Sequence, residues 1–410
     1  MRLPDRDRLL QAFVAGSLLR PDPTYMNVVD VIRGVARTCG ADIPLNDHSR
    51  AIAGHLREAR HVILVLADGL GVGTVDRLAR STWLRRRMLR AIRAPFPTTT
   101  PVAITSLATG EYPAQHAILG WWTHLPVIDA PVTVFAHERA TDSRSLGQLN
   151  VGTHVLFPAQ PLFPQCTRDM ALIMPVGIID SVFTRWMSGA APRIGYHKQG
   201  EMVAATVERV RRAEQPTFTY LYTPVPDTIA HEAGIDSRAA AEAIDTLDAN
   251  LDELEESLAG IRGGVRIIVV ADHGHLTIDD SARLEVADGD SICSLLSAPP
   301  AGDLRTQYWH VKPDAHEAFE SAFQTRFGAH FLLLRASTVE ELGLLGPSPW
   351  SDETRARFGD YLSIARGSAA LRYAGFSGRD GFLRMRSSHS GLTPTEIEVP
   401  LIVGGSGFAR

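Results

Sequence analysis

The chain has 410 residues, of which 45% are hydrophobic and 21% charged, and a formal net charge of -5. That length supports one large domain with insertions or a few smaller ones, and the apolar content excludes a mainly disordered chain. The mild negative balance excludes the basic footprint of a nucleic-acid polymer binder, and Cys39, Cys166 and Cys293 are too few and too scattered for a disulfide framework or a thiolate zinc site.

Residues 1–60 are expected to form an N-terminal helical segment ahead of a core running over 61–410. Charges fall inside the first ten residues, and no apolar run approaches the length of a membrane span. A cytoplasmic location is therefore the expectation.

Four short apolar runs follow: HVILVLADG (61–69), TFTYLYTPV (217–225), VRIIVVADHG (265–274) and VPLIVGG (399–405). None alternates strictly, which predicts buried parallel strands covered on both faces. Helical patterns lie between them, notably GEMVAATVERVRRAEQ and AAAEAIDTLDANLDELEESLAGI. Strand–helix alternation of this kind predicts an α/β fold, a three-layer sandwich around a mostly parallel sheet. Two stretches break the rhythm. Residues 121–197 are rich in Trp, Pro and Thr, and within 281–385 the run TQYWHVKPDAHEAFESAFQTRFGAHFLLLRASTVEEL reads as strand, helix, strand, helix. Both are expected as cap insertions over the C-terminal edge of the sheet, where α/β proteins place their sites.

Residues 96–120, FPTTTPVAITSLATGEYPAQHAILG, carry a helix start and stop: an N-cap at Thr100, Pro101 in the first helical position and Gly110 just past the end. A hydroxyl there is either an ordinary cap or a nucleophile facing an anion, because helix N-termini favour negative charge. Acidic and histidine residues also gather where strands end. Asp68 follows ILVLA, Asp227 and His231 lie in PVPDTIAHEAG, Asp272 and His273 end IIVVA, and His389 lies in SSHSGLTPTEIEVPLIV. Asp227 and His231 are spaced to share one face of a helical turn, which suits two ligands of one metal. Each residue taken alone reads as a turn, a cap or a surface group. Taken together, three Asp, three His and a helix-terminal Thr make the ligand set of a two-metal phosphoryl-transfer site.

The order ADGLG, FPTTTP…TSLATGEYPAQHAILG, PDTIAHEAG, VVADHGH and SSHSG…EVPLIV resembles the alkaline phosphatase superfamily, and most closely its nucleotide pyrophosphatase/phosphodiesterase branch. The resemblance covers the core from about residue 61 onward, apart from the two insertions. It implies one metal held by Asp227, His231 and His389, a second held by Asp68, Asp272, His273 and the Thr100 oxygen, and Thr100 as covalent nucleophile. Mixed His/Asp ligation without thiolate favours zinc, with manganese or iron as alternatives.

The implied function is hydrolysis of a small-molecule, nucleotide-like phosphodiester or pyrophosphate. A phosphomonoesterase, a phosphonate hydrolase and a non-catalytic metal-binding protein are the alternatives; a sulfatase is disfavoured because position 100 is Thr. One departure stands out: where the branch places a phosphate-holding Asn after its HGI segment, this chain has Trp121, followed by Trp122. A cap residue or the Thr100 N–H must then complete phosphate binding. The tryptophans suit stacking on a planar group or anchoring the cap. His275, in DHGH, is a position beside the ligands rather than one of them.

Overall fold

In the computed structural model, which describes residues 3–287 and 289–406, the apolar runs form the centre of a seven-stranded sheet. Its order is Met88–Arg93, Glu398–Ser406, Val265–Val270, His61–Ala67, Thr217–Thr223, Asp169–Pro175, Arg193–Tyr196. The last five of these run parallel, with Leu64 flanked by Tyr220 and Ile268. Every residue of His61–Ala67 and of Thr217–Thr223 is buried, as expected for strands without a solvent face. Helices supply the covering layers. Arg238–Ser257 buries Ile244, Leu247, Leu251 and Leu254, one stripe at helical spacing, and these side chains join the same core as Leu64, Val269 and Val31 of helix Val28–Thr38. Each such leucine contributes about 1.5–3 kcal/mol by leaving water.

Two expectations need correction. The run at 399–405 is central but antiparallel: Glu398–Ser406 pairs antiparallel with both Val265–Val270 and Met88–Arg93. A short apolar run carries no direction, so periodicity could not distinguish the two. The stretch 121–197 is also not a cap throughout, since Asp169–Pro175 and Arg193–Tyr196 complete the central sheet.

The remaining parts of the two stretches meet. Trp122–Leu125, Ala130–Thr133 and Glu138–Arg139 share an antiparallel seven-stranded sheet with Ala301–Asp303, Thr306–Trp309, Tyr361–Ala365 and Phe331–Arg335. The seam is the pair Gly302 and Trp122. Strand, helix, strand, helix is observed over Thr306–Trp309, His316–Arg326, Phe331–Arg335 and Ala336–Glu341.

Candidate metal centre and active site

Parallel strands bring their C-terminal ends to one edge, and there the charged residues emerge. Asp68 directly follows His61–Ala67, and Asp272 and His273 follow Val265–Val270 closely. Asp227 opens helix Asp227–Ala233, which sets His231 one turn later on the same face. His389 follows the short strand Ser387–Ser388, and Thr100 heads helix Thr100–Thr109. Gly69 lets these ends close up: its φ is +76°, and a Cβ there would lie 2.7 Å from His275 Nε2 and 3.0 Å from the Asp227 Cα.

The first set converges on Asp227 Oδ1, which lies 3.1 Å from His231 Nε2 and 3.6 Å from His389 Nε2. The two Nε2 atoms are 3.2 Å apart. His275 Nε2 also reaches Asp227 Oδ1, at 2.9 Å, so His275 faces this set more directly than its sequence position suggests. In the second set, His273 Nε2 lies 3.5 Å from Asp68 Oδ1, 3.4 Å from Asp272 Oδ2 and 3.1 Å from Thr100 Oγ1. The structure thus brings all the sequence-predicted residues together.

The hydrogen bonds around the sets select which atoms face inward. His231, His273 and His389 each place Nδ1 against a backbone carbonyl, of Ser387, Gly274 and Thr98 respectively, at 2.9–3.0 Å. With Nδ1–H donating outward, each Nε2 lone pair points to the centre, the tautomer a metal-ligating imidazole needs. Tyr222 donates to Asp68 Oδ2 at 2.7 Å, while the N–H groups of Gly69 and His273 donate to Asp272 Oδ1 at 3.0 Å. The other oxygens, Asp68 Oδ1 and Asp272 Oδ2, are buried without a hydrogen-bond partner. Two orphaned carboxylate oxygens beside an imidazole nitrogen and a hydroxyl fit a divalent cation, because buried charge without a counter-charge is costly.

Burial and mutual charge shift the groups of the two sets in different directions. Burial, then the neighbouring Asp272 and Asp227 charges, push the Asp68 carboxyl well above the usual carboxylate range. Burial would also raise Asp227, but His231 and His275 hold it well below. Burial opposes charging of His231, yet Asp227 prevails and lifts it to about 9. His389 is pushed far down by burial and by His273 and His231.

The threonine tract differs by one residue from expectation. Thr99, not Thr100, is the N-cap; Thr100 and Pro101 open the helix, which ends at Gly110 as predicted. The Thr99 hydroxyl does not cap because it donates to Asp303 Oδ2 at 2.6 Å, and Thr98 Oγ1 donates to the Gly391 carbonyl at 2.8 Å. Both threonines before Thr100 are therefore pinned to distant segments. Asp303, at the end of Ala301–Asp303 in the second sheet, carries no motif and escaped sequence reasoning. Burial pushes its carboxyl up, against hydrogen bonds from Thr99 and the Leu304 N–H.

A cavity of about 350 Å³ opens over this edge, lined by Thr100, Asp227, His231, His389, Trp121 and Asp303. Trp122, Leu304, Phe382 and Met385 give it an apolar wall. Trp121 remains 38% exposed, as a ligand-facing ring would, whereas Trp122 packs on Phe376 at 4.8 Å between ring centroids.

Residues 62–294 match the family model of type I phosphodiesterase / nucleotide pyrophosphatase. The chain belongs to that family. It is a phosphoric ester hydrolase. The matched span holds every candidate ligand of this phosphodiesterase-family chain except His389, which arrives from beyond it. No functionally curated protein matches the sequence. Among solved structures, murine ectonucleotide pyrophosphatase/phosphodiesterase 5, an inactive variant in complex with AMP, aligns at 15% identity and TM-score 0.60 over 84% of this chain and 87% of that one. The human protein of the same name aligns at 15% identity and TM-score 0.61, over 85% and 88%. At that identity the likeness establishes the alkaline phosphatase-type fold. Among the described residues, no helix is long and apolar enough to cross a membrane.

Proposed function

We propose that this phosphodiesterase-family chain cleaves phosphodiester or pyrophosphate bonds through a phospho-threonine intermediate at a site for two divalent metals. The observation carrying the proposal is the approach of Thr100 Oγ1 to His273 Nε2, at 3.1 Å, beside the orphaned oxygens of Asp68 and Asp272. Asp227, His231 and His389 would hold one ion; Asp68, Asp272, His273 and Thr100 the other. Ligation by imidazole and carboxylate without thiolate favours zinc. Bound, the two ions would supply Lewis acidity at the attacking and leaving oxygens.

The chain's own residues do the rest. Thr100 sits in the first turn of its helix, where backbone N–H groups favour the phosphate's negative charge. Its Oγ1 gives up its proton to solvent and forms the new bond to phosphorus as the bond to the leaving oxygen breaks; water then hydrolyses the phospho-threonine, releasing the phosphoryl product and restoring the proton to Oγ1. The Thr98 and Thr99 anchors hold the attacking oxygen in place, which matters because small misplacements cost catalysis heavily. Binding of AMP by the murine protein of like fold supports a nucleotide-like small molecule as substrate, with Trp121 offering a ring face at the cavity.

Thr100→Ala should remove turnover by several orders of magnitude, as for other covalent nucleophiles, while Thr100→Ser retains part of it. Acid-quenched enzyme mapped by mass spectrometry should carry phosphate on Thr100. Phosphate on Thr98 or Thr99, or unaltered rates in Thr100→Ala, would overturn the assignment.

A further inference from the structure

Asp303 is an unexpected group to find at a phosphate site. It is buried, it lines the cavity with Thr100, His231 and His389, and it comes from the second sheet rather than from the strand ends that carry the ligands. Both of its oxygens are acceptors: Oδ2 receives the Thr99 hydroxyl at 2.6 Å and Oδ1 the Leu304 N–H at 2.7 Å. A carboxyl held by two donors is arranged as a carboxylate. It shares the cavity wall with His231 of one ligand set and Thr100 of the other, so its charge lies on the space that both sets face.

Its placement is fixed by the seam of the second sheet. Gly302 pairs with Trp122 at φ +107°, and a Cβ on Gly120 would lie 2.5 Å from the Gly302 carbonyl oxygen. Only glycine at 120 lets the Trp121 edge and the Asp303 edge approach this closely. Arg305 then locks the turn after Asp303 to the His389 loop: it pairs with Glu396 at 2.6 and 3.0 Å, and its N–H donates to Ser390 Oγ at 3.1 Å. The only other charged group on the cavity wall outside the ligand sets, among the described side chains, is Arg372, whose guanidinium donates to the Phe376 and Ser377 carbonyls.

We infer that Asp303 is a specificity-determining residue that selects singly charged phosphodiesters over doubly charged phosphomonoesters. The inference rests on the hydrolase reading above and names the substrate class within it. A diester presents one negative charge to the site, and its second organic group finds the apolar wall of Trp121, Trp122, Leu304 and Phe382. A monoester dianion adds a second charge in a partly desolvated cavity that already holds the Asp303 carboxylate. Two like charges roughly 10 Å apart or closer in a partly desolvated cavity repel by an amount worth about tenfold or more in binding.

The experiment compares kcat/KM for methyl p-nitrophenyl phosphate and p-nitrophenyl phosphate, which share a leaving group and differ by one charge, in the metal-loaded protein at a pH where the monoester is a dianion. Asp303→Asn, which keeps the shape and an acceptor for Thr99, should raise the monoester relative to the diester by about tenfold. Thr99→Ala, which removes the anchor and keeps the charge, should slow both esters without moving the ratio. Calorimetry with inorganic phosphate reads the same charge without turnover: the dianion should bind the Asp303→Asn protein about tenfold more tightly. Should that variant fail to fold, wild-type protein should favour p-nitrophenyl methylphosphonate, a monoanion of near-equal size, over p-nitrophenyl phosphate. Equal losses on both esters with unchanged phosphate affinity, or no preference for the methylphosphonate, overturn the inference. Failure of wild type to turn over either ester defeats the hydrolase reading instead, and the phosphate titration still decides the role of Asp303.

Discussion

His389 Nδ1 stands 3.0 Å from the carbonyl oxygen of Thr98, so the candidate ligand nearest the end of the chain is hydrogen-bonded to the loop that presents Thr100. The bond works in both directions. It fixes the imidazole with Nε2 facing His231 and Asp227, and it holds the Thr98 peptide two residues before the Thr100 hydroxyl. Ser390, next to His389, is kept at φ +98°, a conformation costing about 1–3 kcal/mol for a residue with a side chain. Arg305 N–H and Thr306 Oγ1 hold it there, the latter bonding the Ser390 carbonyl at 2.6 Å.

Metal content is the first measurement. Elemental analysis of purified protein should find about two divalent ions per chain, and chelation should abolish ester hydrolysis with recovery on adding zinc back. His389→Ala should lose about one of the two, and Asp272→Ala the other. A fully active metal-free protein contradicts the two-metal reading.

The buried pair of Arg305 and Glu396, both fully shielded from solvent, links the second sheet to the ligand loop. Arg305→Met should cost about 3–5 kcal/mol by leaving Glu396 charged and unpaired, and the double substitution Arg305→Met with Glu396→Leu should recover much of that. Chemical denaturation of the three proteins gives the comparison. A single variant as stable as wild type would show that Glu396 finds another partner.

How much of this was legible beforehand divides along one physical line. Charges placed where apolar runs end are costly wherever they are, so Asp68, Asp227, Asp272 and His273 announced a site without any knowledge of the fold. Helix punctuation at Pro101 and Gly110 was equally local. Asp303 was invisible because nothing near it in sequence explains its burial; its partners, Thr99 and the cavity, come from the other sheet edge. The N-cap was misplaced by one residue for a related reason: three threonines in a row offer three capping hydroxyls, and the long-range bond to Asp303 decides what Thr99 does. The pairing of Trp122 with Gly302 and the direction of Glu398–Ser406 are likewise set by contacts between distant segments.

Two buried histidines outside the site, His116 and His310, are expected to lower stability in acid. His116 accepts the Ile118 N–H at Nδ1 and meets Ser106 Oγ at Nε2, and burial depresses it to about 3. His310 is likewise pushed to about 3 by burial and by the neighbouring His124. Each stays neutral when folded and takes up a proton when unfolded, so its contribution is complete above about pH 6.5 and declines as pH falls toward 3. Near pH 5 each costs about 2 kcal/mol relative to neutral pH. Urea denaturation of the wild-type protein from neutral to acid pH should show that slope, and His116→Gln should flatten it. An unchanged slope would mean His116 is charged in the native state.

Trp121 provides the last test. Its exposed ring at the cavity mouth has no structural duty comparable to that of Trp83 or Trp309, which are fully buried. Trp121→Ala should therefore change relative rates across a panel of aryl and nucleotide diesters by about tenfold while metal content stays the same, base–aromatic stacking being worth about 1–3 kcal/mol. Identical relative rates would reduce the ring to a packing element against Phe135.

The antiparallel strand Glu398–Ser406 has a temporal meaning as well as a spatial one. It is wedged between Val265–Val270 and Met88–Arg93 and follows His389 by only a few residues. During synthesis, the strand Val265–Val270 must wait as an open edge until that segment leaves the ribosome, because no other strand borders it on that side. The same insertion delivers His389, Ser390 and Glu396 together. Closure of the sheet and completion of the candidate ligand set are thus one event, and a nascent chain truncated before it carries Thr100 without His389.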